Sequence, residues 1–287
     1  MTPALLLRDT ARRFRVAGIP DPETDSALLL SFLTGKAPLS LRLDTETELT
    51  SDLLRSFDTL AERRLSREPL QYITGEAPFL GRMFFVDPRV LIPRPETEEL
   101  CRFVLESFPA GSGADLLDLC CGSGCIGLSL AAERPAFRVT LADISPDALA
   151  VSAVNAGRLS VPVSLHRGDL AEGLPASSFD CVVSNPPYIP SAECPSLQPE
   201  VLREPVLALD GGVDGLDFYR RIASESFSLL RPGGHLFLEI GYGEAEEVSA
   251  LLSSAGFTRI GCRKDFSGIP RMIHAIAPRT EDVCSIS

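Results

Sequence analysis

Tryptophan is absent, and no lysine- or arginine-rich run interrupts a chain of formal net charge −12. Both absences count against a nucleic-acid groove, which needs cations to neutralise phosphates and aromatic faces to stack a base. No apolar run approaches the roughly 18–20 residues that span a bilayer. Leu5-Leu6-Leu7 is too short for the apolar part of a signal peptide, and Arg8, Arg12 and Arg13 follow it rather than precede it. A cytoplasmic location with no membrane and no direct nucleic-acid partner is therefore expected. The three histidines, His166, His235 and His274, are scattered through strand-like segments, and none of the eight cysteines forms a CxxC pair. No metal site is expected, and the thiols read as reduced.

What is present begins with apolar material: 45% of 287 residues, enough for one large core or two modest ones. Residues 1–68 read as helical. Leu5, Leu6, Ala11 and Phe14, then Leu28, Leu29, Phe32 and Leu33, recur at helical spacing. Asp21-Pro22-Glu23 starts a helix that Gly35 and Pro38 close, and another runs from Ser51 to Leu65. This all-α N-terminal domain has no clustered His, Cys or Gly. Over 69–93 the character changes. Tyr72-Ile73-Thr74, Phe79-Leu80-Gly81 and Phe84-Phe85-Val86 read as strand pieces and turns, a β-hairpin connector. Pro95-Glu96 then opens a helix to about Phe108.

From Leu116 strands and helices alternate. Strands are expected at Leu116–Leu119, Arg138–Asp143, Val163–His166, Phe179–Ser184 and His235–Ile240, with helices from Leu128, Pro146, Phe218 and Glu244. Arg231-Pro-Gly-Gly234 reads as a turn, and two last strands, 257–263 and 271–277, have no helix between them and should be antiparallel. The expected fold is α/β: a doubly wound, seven-stranded, mostly parallel sheet over residues 94–280, with 281–287 as a tail.

Two stretches carry the chemistry. Asn185-Pro186-Pro187-Tyr188 ends a buried strand abruptly, since two prolines fix φ and remove two donors. An amide, bare carbonyls and a ring are thereby held at the carboxyl edge, where open α/β sheets bind ligands. The Asn185 side chain and the Pro186 carbonyl suit gripping the NH2 of a planar amide or amine. The second stretch, Gly122-x-Gly124-x-x-Gly127 with Asp143 at the next strand's end, formally matches a dinucleotide fingerprint. NAD and S-adenosylmethionine both present a ribose to such an acid. Asp118 within the first strand, able to organise the loop or meet an ammonium, Asp169 placed to bound an adenine, and Asn185 beside the reacting centre tilt the reading toward the sulfonium. No histidine suited to hydride chemistry is evident.

Together, Asp118, the glycine turn, Asp143, Gly168-Asp169 and Asn185–Tyr188 resemble a class I S-adenosylmethionine-dependent methyltransferase with a Rossmann-like fold. The branch is the amino-methylating one, which includes adenine-N6, cytosine-N4 and glutamine-N5 enzymes. Leu91-Ile-Pro-Arg-Pro-Glu-Thr-Glu98, Glu204-Pro-Val-Leu-Ala-Leu209, Gly211-Gly-x-Asp-Gly-Leu216 and the helical N-domain make the chain similar over its length to the release-factor glutamine methyltransferases (PrmC/HemK family). The resemblance implies cofactor contacts from Asp118, Cys120, Cys121, Gly122, Ser123, Gly124, Asp143, Asp169, Leu170 and Asn185. It departs from the family at Cys120, where the usual residue is glycine, and at Leu170, which is apolar but not aromatic.

The implied substrate is the glutamine of the Gly-Gly-Gln loop of peptide-chain release factors, bound by a monomer. Asn185, Pro186 and Tyr188 would be catalytic, and Pro187 would join them in binding substrate. Arg94 and Glu96 are candidates for closing the cofactor end, while Glu204 reads as structural. Residues 1–68 carry 10 basic and 11 acidic groups, so nearly all the acidic excess lies beyond them, where it can attract a basic segment of the partner. The rival expectation is a DNA or RNA adenine-N6 methyltransferase.

Overall fold

A computed structural model describes residues 1–279. The chain forms two compact units: Met1–Glu76 with Gln198–Arg203, and Ala77–Leu197 with the chain from Glu204 onward. The tail expected at 281–287 lies outside the described residues.

The first unit holds α1 (Pro3–Val16), α2 (Pro22–Thr34), α3 (Pro38–Leu43), α4 (Ser51–Leu65) and α5 (Leu70–Thr74). Proline opens α1, α2 and α3, where its missing N–H would have had no helical partner. Gly35 ends α2 in the left-handed region and donates its N–H to Ser31. Phe14, Leu29, Leu30, Leu41 and Phe57 fill the centre. Tyr72-Ile73-Thr74 is helix, not the expected strand. The Pro69 carbonyl accepts from Tyr72 and Ile73, Gly75 caps the turn at φ 72°, and Ile73 joins the helical core. A favourable core contact overrides the β-propensity of these residues.

The second unit begins with a hairpin of β1 (Glu76–Phe79) and β2 (Arg82–Phe85), turned by Leu80 (φ 45°) and Gly81 (φ 71°). Two positive φ values give the twist that paired strands need. There follow α6 (Pro95–Ser107), β3 (Ala114–Leu119), α7 (Cys125–Glu133), β4 (Phe137–Asp143), α8 (Pro146–Leu159), β5 (Ser164–Arg167), β6 (Phe179–Ser184), α9 (Asp217–Leu229), β7 (Leu230–Glu239), α10 (Ala245–Ser254), β8 (Thr258–Lys264) and β9 (Pro270–Ile276). The seven-stranded sheet has the order β5-β4-β3-β6-β7-β9-β8, parallel from β5 to β7 and antiparallel through β9 and β8, as expected. Neighbouring residues feed opposite layers: Leu116 and Val183 one, Leu117 and Val182 the other. Burial on both faces explains the near-continuous apolar strands. The Arg231–Gly234 turn sits inside β7 as an irregularity, because Phe179 pairs with Leu230 while Cys181 pairs with His235. From β3 the chain winds outward to β4 and β5, then crosses back to β6, so the switch point lies at the carboxyl ends of β3, β4 and β6.

Candidate active site

At that switch point the chain turns tightly after β3. Cys120 (φ 57°), Gly122 (φ 53°) and Gly124 (φ 78°) are left-handed, and Gly124 caps α7. Gly127 has a different reason to lack a side chain: a Cβ there would lie 2.3 Å from Leu141 and 3.0 Å from Asp118 Oδ2. That close approach lets Gly127 N–H donate to Asp118 Oδ2 at 2.8 Å. Asp118 is fully buried, its Oδ1 takes no hydrogen bond from the described residues, and burial pushes its carboxyl up to about 7. It organises the loop from beneath. Asn155, also buried, donates to Ser123 O at 2.9 Å and exchanges both backbone hydrogen bonds with Phe85, tying the turn to the hairpin.

Above the turn opens a cleft lined by the β3 turn, the ends of β4 and β5, and the start of the proline corner. The structure brings Cys120, Gly122, Asp143, Asp169, Leu170, Asn185 and Pro187 to this one cleft, whereas Asp118, Cys121, Ser123 and Gly124 support it from behind. Asp143 Oδ2 accepts from Gly122 N and Oδ1 from Ser145 N, each at 2.9 Å, and burial raises its pKa. Each oxygen keeps a further lone pair, so the carboxylate can accept from two adjacent hydroxyls. Ile144 and Leu170 give the neighbouring wall an apolar character suited to a planar ring.

Asn185 stands half-buried between this cleft and the proline corner. Pro186 and Pro187 are buried, and no described backbone N–H donates to the Pro186 carbonyl. Tyr188 is half-buried, and burial pushes its phenol up to about 12, so it stays neutral. The corner is clasped from outside: Gly211 N donates to Ile189 O and Ile189 N to Leu209 O. A Cβ on Gly211 would lie 2.7 Å from Tyr188 Cα, and one on Gly215 would lie 2.5 Å from Tyr188 O. Gly211 and Gly215 are therefore demanded by contact with Tyr188, whereas Gly212 is demanded by its φ of 92° and the Asp217 carboxylate.

Two residues that sequence reasoning passed over join here. Asn185 Nδ2 donates to Thr97 Oγ1 at 3.2 Å, and Thr97 donates to Glu239 Oε2 at 2.6 Å. Thr97 and Glu239 are both 2% exposed, and burial raises the Glu239 carboxyl to about 7. The available signal was an acid closing the apolar strand His235–Ile240 and a threonine inside Leu91–Glu98. The rest of that motif is scaffolding. Arg94 pairs with Glu204 at 2.5 Å, Glu204 also accepts from Ile92 N at 3.0 Å, and Glu98 accepts from Leu80 N at 2.9 Å. Glu204 is structural, as read. Arg94 is committed to it, and neither Arg94 nor Glu96 lines the cleft.

Among the described residues, no helix is long and apolar enough to cross a membrane. Residues 6–75 match the PrmC N-terminal domain, and residues 96–212 the methyltransferase small domain. In fold, the chain resembles a methyltransferase from Pyrococcus furiosus (TM-score 0.54, 17% identity, covering 78% of this chain and 98% of that one). It likewise resembles the 16S rRNA N2 G1207 methyltransferase RsmC of T. thermophilus (TM-score 0.53, 20% identity, 70% of this chain and 49% of that one). Nearly full-length relatives are more informative. The release factor glutamine methyltransferase of Caulobacter vibrioides is 41% identical over 278 residues, 95% of this chain and 96% of its own length. That of Clostridium acetobutylicum is 43% identical over 257 residues, 88% and 90%. With the helical unit, the glycine turn and the Asn-Pro-Pro-Tyr corner all in place, the chain belongs to the release factor glutamine methyltransferase family.

Proposed function

We propose that this protein transfers a methyl group from S-adenosylmethionine to the side-chain amide nitrogen of the glutamine in the Gly-Gly-Gln loop of peptide-chain release factors. The observation that carries the reading is Asn185, which lines the cleft beside Asp143 and stands at the start of the buried Pro-Pro corner.

The residues present fit the donor. Asp143 would take the ribose hydroxyls, the turn through Cys120 and Gly122 would pass close to the ligand, and Asp169 and Leu170 would bound the adenine. Asp118, Cys121, Ser123 and Gly124 act by shaping that turn. S-adenosylmethionine supplies an electrophilic methyl on a sulfonium that departs as a neutral thioether. The protein supplies alignment. A carboxamide nitrogen is a poor nucleophile because its lone pair is delocalised into the carbonyl. Asn185 Oδ1 and the Pro186 carbonyl accept its two N–H bonds, which raises electron density on nitrogen and aims it along the line of transfer; Tyr188 and Pro187 wall the slot. Orientation of this kind is worth on the order of 7–11 kcal/mol at best. The surplus proton leaves to water after transfer.

In this reading the helical unit recognises the factor, and the second unit, which carries the hairpin, holds the catalytic site. The enzyme works as a cytoplasmic monomer with no nucleic-acid partner of its own. The deciding experiment incubates the protein with labelled S-adenosylmethionine, purified release factor and duplex DNA, then locates the methyl by mass spectrometry. Label on the factor's glutamine is expected; label on DNA adenine overturns the reading.

A further inference from the structure

An asparagine amide carries both an acceptor and a donor, and only the acceptor can hold an amide N–H of a substrate. We propose that Thr97 and Glu239 are positioning residues that lock the Asn185 amide with Oδ1, not Nδ2, toward the cleft. This rests on the proposed reaction and names the residues that orient its key group.

The argument is one of hydrogen-bond polarity. An ionised carboxylate can only accept, so the single Thr97 proton goes to Glu239 Oε2, 2.6 Å away. Thr97 Oγ1 is then left with lone pairs toward Asn185, and the only Asn185 group able to donate to it is Nδ2, at 3.2 Å. Oδ1 is thereby forced to the other side. Removing the threonine hydroxyl lets the amide turn over and present donors to a substrate that also brings donors.

The relay is built rigidly. Thr97 and Glu239 are 2% exposed. Glu239 closes β7, where it pairs with Met272 of β9, and its backbone carbonyl accepts from Tyr219 Oη of α9 at 3.1 Å. The charged and titratable groups around it are Arg94, Glu96 and Cys101 of the α6 segment, Cys125 of α7, Tyr219 of α9, Arg271 on β9 and Tyr188 beyond β6. Protonated Glu239 can instead donate to Thr97, which then donates to Asn185 Oδ1 and reverses the chain of hydrogen bonds.

The test compares Thr97→Val, Thr97→Ser and Glu239→Gln with the parent enzyme on the release factor. Thr97→Val should lower kcat on the order of 100-fold, with KM for S-adenosylmethionine held within about twofold. Thr97→Ser, which restores the hydroxyl, should recover most of the loss. The parent kcat should fall on the acid side of a pH near 7, and that limb should be missing from Glu239→Gln. A Thr97→Val enzyme with parental kcat overturns the proposal, as does a Thr97→Ser enzyme no better than Thr97→Val, or an acid limb that survives in Glu239→Gln. If Thr97→Val does not fold, the pH comparison alone decides. Should the parent transfer no methyl to the factor, the proposed function fails first. The relay is then judged by the side-chain amide NMR signal of Asn185, which must shift between Glu239→Gln and the parent and titrate only in the parent.

Discussion

Cys120 holds a left-handed backbone, φ 57°, that an L side chain disfavours and a glycine adopts freely. Relieving that strain is worth about 1–2 kcal/mol, against about 0.5–1 kcal/mol for the extra freedom that glycine gives the unfolded chain. Cys120→Gly should therefore melt at or slightly above the parent temperature, whereas Cys120→Val, with a branched Cβ, should melt several degrees below it. Asp118 offers a second test at this scale. Its folded pKa, about 7, stands above the ordinary aspartate value of 3.8 because burial disfavours the charged form. The folded state thus holds its proton more tightly, and stability from this group is lost as pH rises through that window. Relative to the parent, Asp118→Asn should gain stability between pH 4 and 8 in thermal melts, whatever its offset. Asp143 and Asn185 were legible because each ends an apolar strand, a position readable without knowing the partner. Thr97 and Glu239 were not legible: they lie 142 residues apart, and nothing local marks a threonine in a helix's first turn as the neighbour of a strand-end acid.

Most strands and helices followed from the alternation of apolar runs with glycine and proline, since burial of both sheet faces leaves little ambiguity. Two segments did not. Tyr72–Thr74 has strand-forming residues but makes α5, and Arg231–Gly234 became an irregularity within β7 rather than a separate turn. In each case tertiary contact outweighed local preference. Gly211 belongs to this scale as well, because its bare Cα is what allows one loop to lie against another. Gly211→Ala places a methyl 2.7 Å from Tyr188 Cα. The corner must shift, and the expected result is a clear loss of turnover with cofactor affinity, measured by calorimetry, largely kept. In the helical unit, the side chain of Arg64 is 5% exposed and pairs with Asp25 at 2.7 Å and Glu200 at 2.8 Å. Glu200→Ala leaves much of that buried charge uncompensated and should destabilise the protein by roughly 3 kcal/mol in denaturant unfolding.

For the molecule as a whole, charge is distributed unevenly, with the acidic excess of the sequence beyond residue 68. If that field draws in a basic segment around the target loop, KM for the factor should rise steeply between roughly 0.05 and 0.5 M salt while kcat stays level. A KM indifferent to salt would reject electrostatic recruitment. The path of the chain has a consequence of its own. After the Asn-Pro-Pro-Tyr corner it contributes Gln198–Arg203 to the helical unit, where Arg64 and Arg67 hold Glu200, before returning to Glu204 in the catalytic unit. The two units are thus not consecutive cassettes. A chimera that exchanges only the first 76 residues with a relative would graft a foreign bundle onto a resident six-residue splice, and keeping Glu200 matched to its arginines requires transplanting both pieces together.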